Sequence, residues 1–402
     1  MCWCSRRAVG PRFYLPLVAT ATIVLAALPV RRAAAEPVTA ASAPAQEEGA
    51  QAAKASTTLE DPTGARLRRM LHAEQYDEIV ADTTALLTQS PSAEVTYFAH
   101  YYRGCAEWRL GSLDGAQADM TAITASESSH PERYPSPHGF LEIIARQKAL
   151  LPPVRREVRI DGTPYFTVYA DSEDVAEQEL LELLPVAVAS VRRIVAPRET
   201  VVILFGSVEK MQAYEDIPRR TSPIDPAVLA HGGYEGVHIC LSHQPGKYVT
   251  DPRGGYFRLS VTHEYLHVMV DRVLEAHARL PQWFSEGLAN VAGLHSAPSE
   301  EATFATRLKT AVDHHALLPL SEIDGRKFYR IANETFAGTR SEDPYAQATE
   351  MTEYLLLGRP ESIAAELLQA VRRTNDFPKA FAETFGESVD EFYADWHAYA
   401  IR

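Results

Sequence analysis

Two histidines four residues apart, with a glutamate beside the first, make the most chemically suggestive segment of this 402-residue chain: His263-Glu264-Tyr265-Leu266-His267. On an α-helix, positions four apart lie on one face about a turn from each other, so both imidazoles reach a single ion. Leu259, Leu266, Val270 and Val273 give the same stretch an apolar side to bury, which predicts a helix here. Glu264 is rotated about 100° from His263, so its carboxylate flanks such an ion without ligating it. Zinc at that point would lower the pKa of a bound water towards neutrality, and Glu264 would take the proton as the water attacks a carbonyl carbon. With 14 histidines in 402 residues, His-Glu-x-x-His arises by chance about three times in a hundred, so a third ligand has to decide.

Glu286 is the best candidate for that ligand. It lies in Pro281-Gln282-Trp283-Phe284-Ser285-Glu286-Gly287-Leu288-Ala289-Asn290, with eighteen residues between it and His267. That interval lets one helix end, a loop turn near Leu280-Pro281 and a second helix return antiparallel. Asn290, one turn beyond Glu286, is placed to orient a ligand through a hydrogen bond or to sit on the helix surface as an ordinary amide.

His-Glu-x-x-His, eighteen residues, then a glutamate inside Trp-Phe-x-Glu-Gly-Leu-Ala resembles the gluzincin metallopeptidases, the group of thermolysin and the zinc aminopeptidases. The likeness spans roughly residues 160–400, and its tight part is 263–290. The metzincin pattern fails, because its glycine and third histidine would fall at Val270 and Val273. The resemblance implies a zinc ion held by His263, His267 and Glu286, with Glu264 as general base and peptide bonds as substrate. It also implies a tyrosine about sixty residues past the glutamate ligand to stabilise the oxyanion. Tyr345, opening a helix after Asp343-Pro344, fits that place, with Tyr329 and Tyr354 as rivals. In zinc aminopeptidases a glycine-rich stretch carries a glutamate that binds the substrate's amino group. Glu235, in Gly232-Gly233-Tyr234-Glu235-Gly236, stands in a comparable position 28 residues before His263, though a plain turn into a strand explains the same residues. His314 and His315 read as a surface pair.

These residues need a scaffold. Tyr165–Tyr169, Thr200–Phe205 and Val237–Leu241 are aromatic and β-branched runs that read as strands, with a long amphipathic helix over Val175–Val195. Everything after Leu259 is helical by pattern, so residues 155–402 are expected to form an α+β domain with a small sheet and active-site helices, without β/α alternation. Before it, residues 62–151 are expected to form a helical domain, with 62–125 helical by period and a further helix over Phe140–Leu151. The stretch from Arg103 to Ala116, with Gly111 at a turn, resembles a tetratricopeptide repeat, and His72–Leu87 resembles the second helix of a preceding one. The resemblance implies a possible protein partner for this region; plain helical packing is the other reading. Pro152-Pro153 marks the expected boundary.

The extreme N-terminus reads as a targeting segment. Arg6, Arg7 and Arg12 precede an apolar run from Tyr14 to Val30, and Ala33-Ala34-Ala35 offers a small-residue cleavage site. Residues 1–35 are thus a signal peptide or an uncleaved anchor, which places the protein in the periplasm or outside the cell. Residues 36–61, rich in Ala, Pro, Gln, Glu, Ser and Thr, read as a disordered linker. The chain carries a net charge of -14, and residues 1–35 hold five arginines and no acid, so their removal leaves -14 - 5 = -19. Such acidity excludes nucleic acid as a natural partner. Cys105 and Cys240, the cysteines outside the targeting segment, are expected as separate thiols, with a disulfide left open. The overall expectation is an exported zinc peptidase. The alternatives are a non-catalytic binding or assembly protein that keeps zinc for structure, and a zinc hydrolase acting on other acyl groups.

Overall fold

The computed structural model describes residues 62–129, 136–171, 175–220, 238–242, 255–275, 278–336 and 340–402, all within one compact unit. Five helices come first: α1 (Pro62–His72), α2 (Tyr76–Thr88), α3 (Ala93–Arg109), α4 (Leu113–Ile123) and α5 (Pro137–Lys148). Each packs on its sequence neighbours, with Gly111 in the left-handed turn between α3 and α4 at φ 80°. Ser92 and Ser136 cap α3 and α5 by accepting from Val95 N and Gly139 N.

Four strands follow, in the spatial order β1 (Val154–Ile160), β2 (Thr163–Ala170), β3 (Thr200–Phe205) and β4 (Ile239–Ser242). β1 and β2 form an antiparallel hairpin whose turn, Asp161-Gly162, has both residues at positive φ, the geometry that matches strand twist. The alternation in Val-Arg-Arg-Glu-Val-Arg-Ile is the sequence signature of β1, which reading for aromatic runs passes over. β2, β3 and β4 are mutually parallel. The crossover from β2 to β3 is α6 (Val175–Val191), and α7 (Val208–Arg220) follows β3. The α+β expectation holds in its coarse form, a small mixed sheet in a mostly helical chain. The absence of alternation does not hold, because a parallel pair needs a crossover and helices supply it.

The centre of the sheet is buried on both faces, whereas the edge strand β1 exposes every second residue, and strand alternation divides the core in two. Phe166, Val168, Val202, Leu204, Ile239 and Leu241 point into a core shared with α6 and the later helices. Val201, Ile203 and Phe205 point the other way, into the core of α1–α5. β3 is therefore buried at every residue, as expected of a central parallel strand. Pro152-Pro153 marks a change of secondary structure, and the hydrophobic core runs across it.

The remaining helices surround the metal-ligand candidates. α8 (Gly255–Leu274) carries His263 and His267, and α9 (Gln282–Ser296) carries Glu286 and Asn290. They are followed by α10 (Glu301–Asp313), α11 (Gly325–Phe336), α12 (Pro344–Leu356), α13 (Ile363–Thr374), α14 (Phe377–Phe385) and α15 (Val389–Ala400). Among the described residues no helix is long and apolar enough to cross a membrane. Residues 1–61 lie outside the description, and with them the targeting segment and linker.

Candidate metal centre

α8 is buried on almost every side. Phe257, Leu259, Val261, Leu266, Val268, Met269 and Val270 are all in the core, and Tyr265 is wedged against Phe166 of β2 with its hydroxyl donating to Arg198 O at 3.0 Å. A helix so surrounded has a fixed axial rotation, which fixes where both imidazoles point. At its far end Arg272 donates to Asp77 of α2 (3.0 Å), and Arg198 donates to the same carboxylate (2.6 Å), tying α8 to the helical region.

α9 is anchored on its other flank by Trp283, which stacks on Phe392 with ring centroids 5.7 Å apart and meets Phe377 edge-on. Its first turn is fixed by Asp324, whose side chain accepts from Gln282 N at 2.9 Å. Two glycines set how closely it approaches its neighbours. A Cβ on Gly293 would lie 2.9 Å from Leu259 O on α8, and one on Gly287 would lie 2.3 Å from Ala348 O on α12. Gly287 in the Trp-Phe-x-Glu-Gly-Leu-Ala segment is thus required by the backbone of α12, and its neighbour Glu286 is held facing α8.

Three ligand-type atoms converge. His263 Nε2 and His267 Nε2 are 3.0 Å apart, and Glu286 Oε2 lies 3.2 Å from the first and 3.5 Å from the second. Ligands about 2.0–2.2 Å from a tetrahedral zinc are separated by about 3.3–3.6 Å, so the two glutamate spacings are close to that edge length and the 3.0 Å between the imidazoles is a little tighter. Among the described residues this is the one cluster of histidine, cysteine and carboxylate ligands with such spacing. The three residues that sequence spacing picks out are the three the fold brings together.

The hydrogen bonds behind the cluster determine which nitrogen faces inwards. Thr349 Oγ1 donates its proton to Tyr345 O at 2.7 Å, so it can only accept from Asn290 Nδ2 at 2.9 Å. That turns Asn290 Oδ1 towards His263 Nδ1, 2.8 Å away, where it accepts the ring proton. In the neutral ring the lone pair is then on His263 Nε2, which points at the cluster, the tautomer a metal needs. Asn290, 2% exposed, is therefore a partner of His263, and the surface-amide reading is excluded. Ser285 Oγ sits 3.4 Å from His267 Nδ1, a looser contact.

The cluster's electrostatics point the same way. Burial pushes the His267 imidazole down, yet the Glu286 carboxylate outweighs it, with Glu264 and Asp271 adding to the lift, and the pKa rises to about 9. Burial likewise raises Glu286, but the two imidazoles hold it well below the ordinary carboxylate range. A buried carboxylate held ionised against two imidazoles is a donor set that could hold a cation, and protons would compete with a cation for it.

Glu264 is half-buried on the same helix, and among the described residues its carboxylate has no hydrogen bond or ion pair. Tyr345 is the second residue of α12, whose N-terminus Asp343 caps by accepting from Ala346 N at 3.0 Å, and its ring meets Phe328 edge-on at 4.9 Å. Tyr329 of α11 reaches the cluster directly, donating to Glu286 Oε1 at 2.9 Å. Tyr354 packs instead against Phe392 and Tyr399. His314 and His315 lie exposed at the end of α10. Glu235 and its glycines fall outside the described residues; of the third strand run, β4 begins at Ile239. Cys105 and Cys240 are not joined in a disulfide, and both lie in one shared core.

Sequence reasoning missed Gln282, which donates to Glu286 Oε1 at 2.8 Å from one turn earlier on α9. Its spacing of four residues was the available signal. Thr349 had no such signal. No family model, curated protein or solved structure matches the chain.

Proposed function

We propose that this chain is an exported zinc-dependent metallopeptidase that hydrolyses peptide bonds, with His263, His267 and Glu286 as ligands and Glu264 as general base. The observation that carries the reading is the triangle of ligand atoms 3.0–3.5 Å on a side, backed by a fixed His263 tautomer. A set of two imidazoles and one carboxylate is also the donor set of catalytic zinc sites that keep a position open.

Zinc, when bound, supplies the positive charge that acidifies a water and polarises a carbonyl. The chain's own residues do the rest. Asn290 keeps the His263 ring turned and its Nδ1 protonated, so Nε2 stays available. Glu264, one position past the first ligand on α8 and without a competing hydrogen bond among the described residues, accepts the proton lost by the attacking water and returns it to the leaving amine. A tyrosine hydroxyl meets the developing oxyanion. The gluzincin resemblance gives Tyr345 that role, and the reach of Tyr329 to the cluster keeps it as the rival. The tetratricopeptide-like helices are proposed to serve a protein partner, and export rests on the composition of residues 1–35.

Zinc content by elemental analysis of residues 36–402, beside a His263→Ala/Glu286→Ala variant, tests the reading. One zinc per chain is expected in the native form and none in the variant, with cleavage of a quenched peptide library by the native form alone. Folded, zinc-supplemented protein without metal would overturn it. One zinc per chain without hydrolysis of any peptide would favour a binding protein in which zinc is structural.

A further inference from the structure

Glu286 has two carboxylate oxygens, and their surroundings differ sharply. Oε2 faces the two imidazoles, at 3.2 and 3.5 Å. Oε1 faces away from them and receives two donors, Gln282 Nε2 at 2.8 Å and the Tyr329 hydroxyl at 2.9 Å. Gln282 Nε2 also donates to the Tyr329 oxygen. The proton count closes without ambiguity. The amide nitrogen has two protons and uses one on Glu286 and one on Tyr329. The hydroxyl accepts that second proton's bond and spends its own proton on Glu286. All three groups are satisfied in one direction only, and both lone pairs of Oε1 are filled.

We infer that Gln282 and Tyr329 form a clamp that restricts Glu286 to a single ligating oxygen, making Tyr329 a positioning residue for the metal site. The inference rests on the metal-binding reading above. A carboxylate with both oxygens available can chelate an ion and crowd out the open position that hydrolysis needs. With Oε1 engaged twice, only Oε2 is left to bind. The two donors come from separate elements, α9 and α11, so the clamp also pins α11 over the site. Tyr329 is 44% exposed and on the rim, with its hydroxyl turned in towards a glutamate that is 4% exposed. An exposed ring contributes little to the core, so deleting its hydroxyl should leave the fold intact.

The test uses Tyr329→Phe and Gln282→Leu in the full mature chain, with Co²⁺ and Zn²⁺ as probes. Metal affinity is read by competition with a chromophoric chelator, and ligand number by the visible absorption of the Co²⁺ form. Removing the partners of a ligating group typically weakens metal binding 10–100-fold. We expect a loss of about that size in each variant, with cobalt bands that are weaker and lie at shorter wavelength as a second carboxylate oxygen enters, and an unchanged melting temperature of the metal-free protein. Native protein that binds one Co²⁺ while both variants match it in affinity and spectrum would overturn the clamp and leave the metal site standing. Variants that match the native metal binding yet lose peptide hydrolysis would overturn it too, assigning Tyr329 to the substrate. Native protein that takes up neither metal would remove the metal site and the clamp together.

Discussion

The roles proposed for Glu264 and His267 differ in what each asks of a proton, and the difference is open to mutation. His267 holds its proton tightly in the absence of metal because Glu286 faces it across 3.5 Å, and that proton must leave before the nitrogen can ligate. Glu264 stands outside the ligand triangle, so exchanging it should not disturb metal uptake. Glu264→Gln keeps the shape and removes the base. We expect one zinc per chain in this variant and a fall in peptide hydrolysis of about 10²–10⁴-fold, the usual contribution of a general base. Stopped assays on zinc-quantified protein check this, and full activity would remove Glu264 from the mechanism. The convergence of the two imidazoles was legible in five residues because helix geometry turns a four-residue spacing into a shared face. The roles of Thr349 and Tyr329 were not legible, since they depend on how α11 and α12 lie against α9, 59 residues from Asn290 and 43 from Glu286 respectively.

Among the elements, α9 does most to build the site, because it must come close to α8 on one side and α12 on the other. Gly293 and Gly287 supply the room. Gly287→Ala would put a methyl 2.3 Å from Ala348 O and 2.2 Å from Thr352 Oγ1, both fixed by a buried helix. The helices must separate, and such overpacking costs about 1–3 kcal/mol. Since Glu286 and Asn290 ride on the same helix, the variant should also bind zinc more weakly, whereas a change that only loosens the core would not. A urea midpoint and a chelator competition on the same sample distinguish the two. The sequence predicts α9 as a returning helix from its length and loop, and α12 from Asp343-Pro344 at its start, and both form. β1 escapes that reading because its alternation sets Val154, Val158 and Ile160 on the inner side against exposed Arg155, Glu157 and Arg159, with no aromatic or β-branched run to mark it. Parallel pairing of β2, β3 and β4 is a long-range property that strand composition does not encode.

At the scale of the whole molecule, the sheet serves two cores at once. The helical region buries Val201, Ile203 and Phe205, while the helices that carry the His-His-Glu cluster bury the residues between them. Asp77 reinforces the seam, pairing with Arg272, whose side chain is only 6% exposed, and with Arg198. A pattern-based boundary at Pro152-Pro153 sees the change from helix to strand and cannot see that alternate residues of β3 face opposite ways into different partners. One consequence is pH dependence. His238, 4% exposed at the start of β4, lies in this seam, edge-on to Tyr214 and beside the Gly111 turn. Burial drives its pKa from 6.5 down to about 4, with the Arg109 charge pushing the same way and a backbone bond at Arg109 opposing. The folded state therefore keeps the ring neutral over a range in which the unfolded chain protonates it. The stability His238 permits is intact above pH 6.5 and is lost as the pH falls from there towards 4. At pH 5 the loss is about 2 kcal/mol. Glu353, lifted to about 7 by burial and by Glu350 and Glu301, acts in the opposite sense, stabilising the fold as the pH falls. The two effects separate in a difference measurement, since Glu353 is common to both proteins. Urea unfolding of native protein and His238→Gln at pH 7.5 and pH 5 should show the native form losing about 2 kcal/mol more than the variant across that interval. Equal losses would mean that the seam opens to solvent and leaves His238 titrating as it does in the unfolded chain.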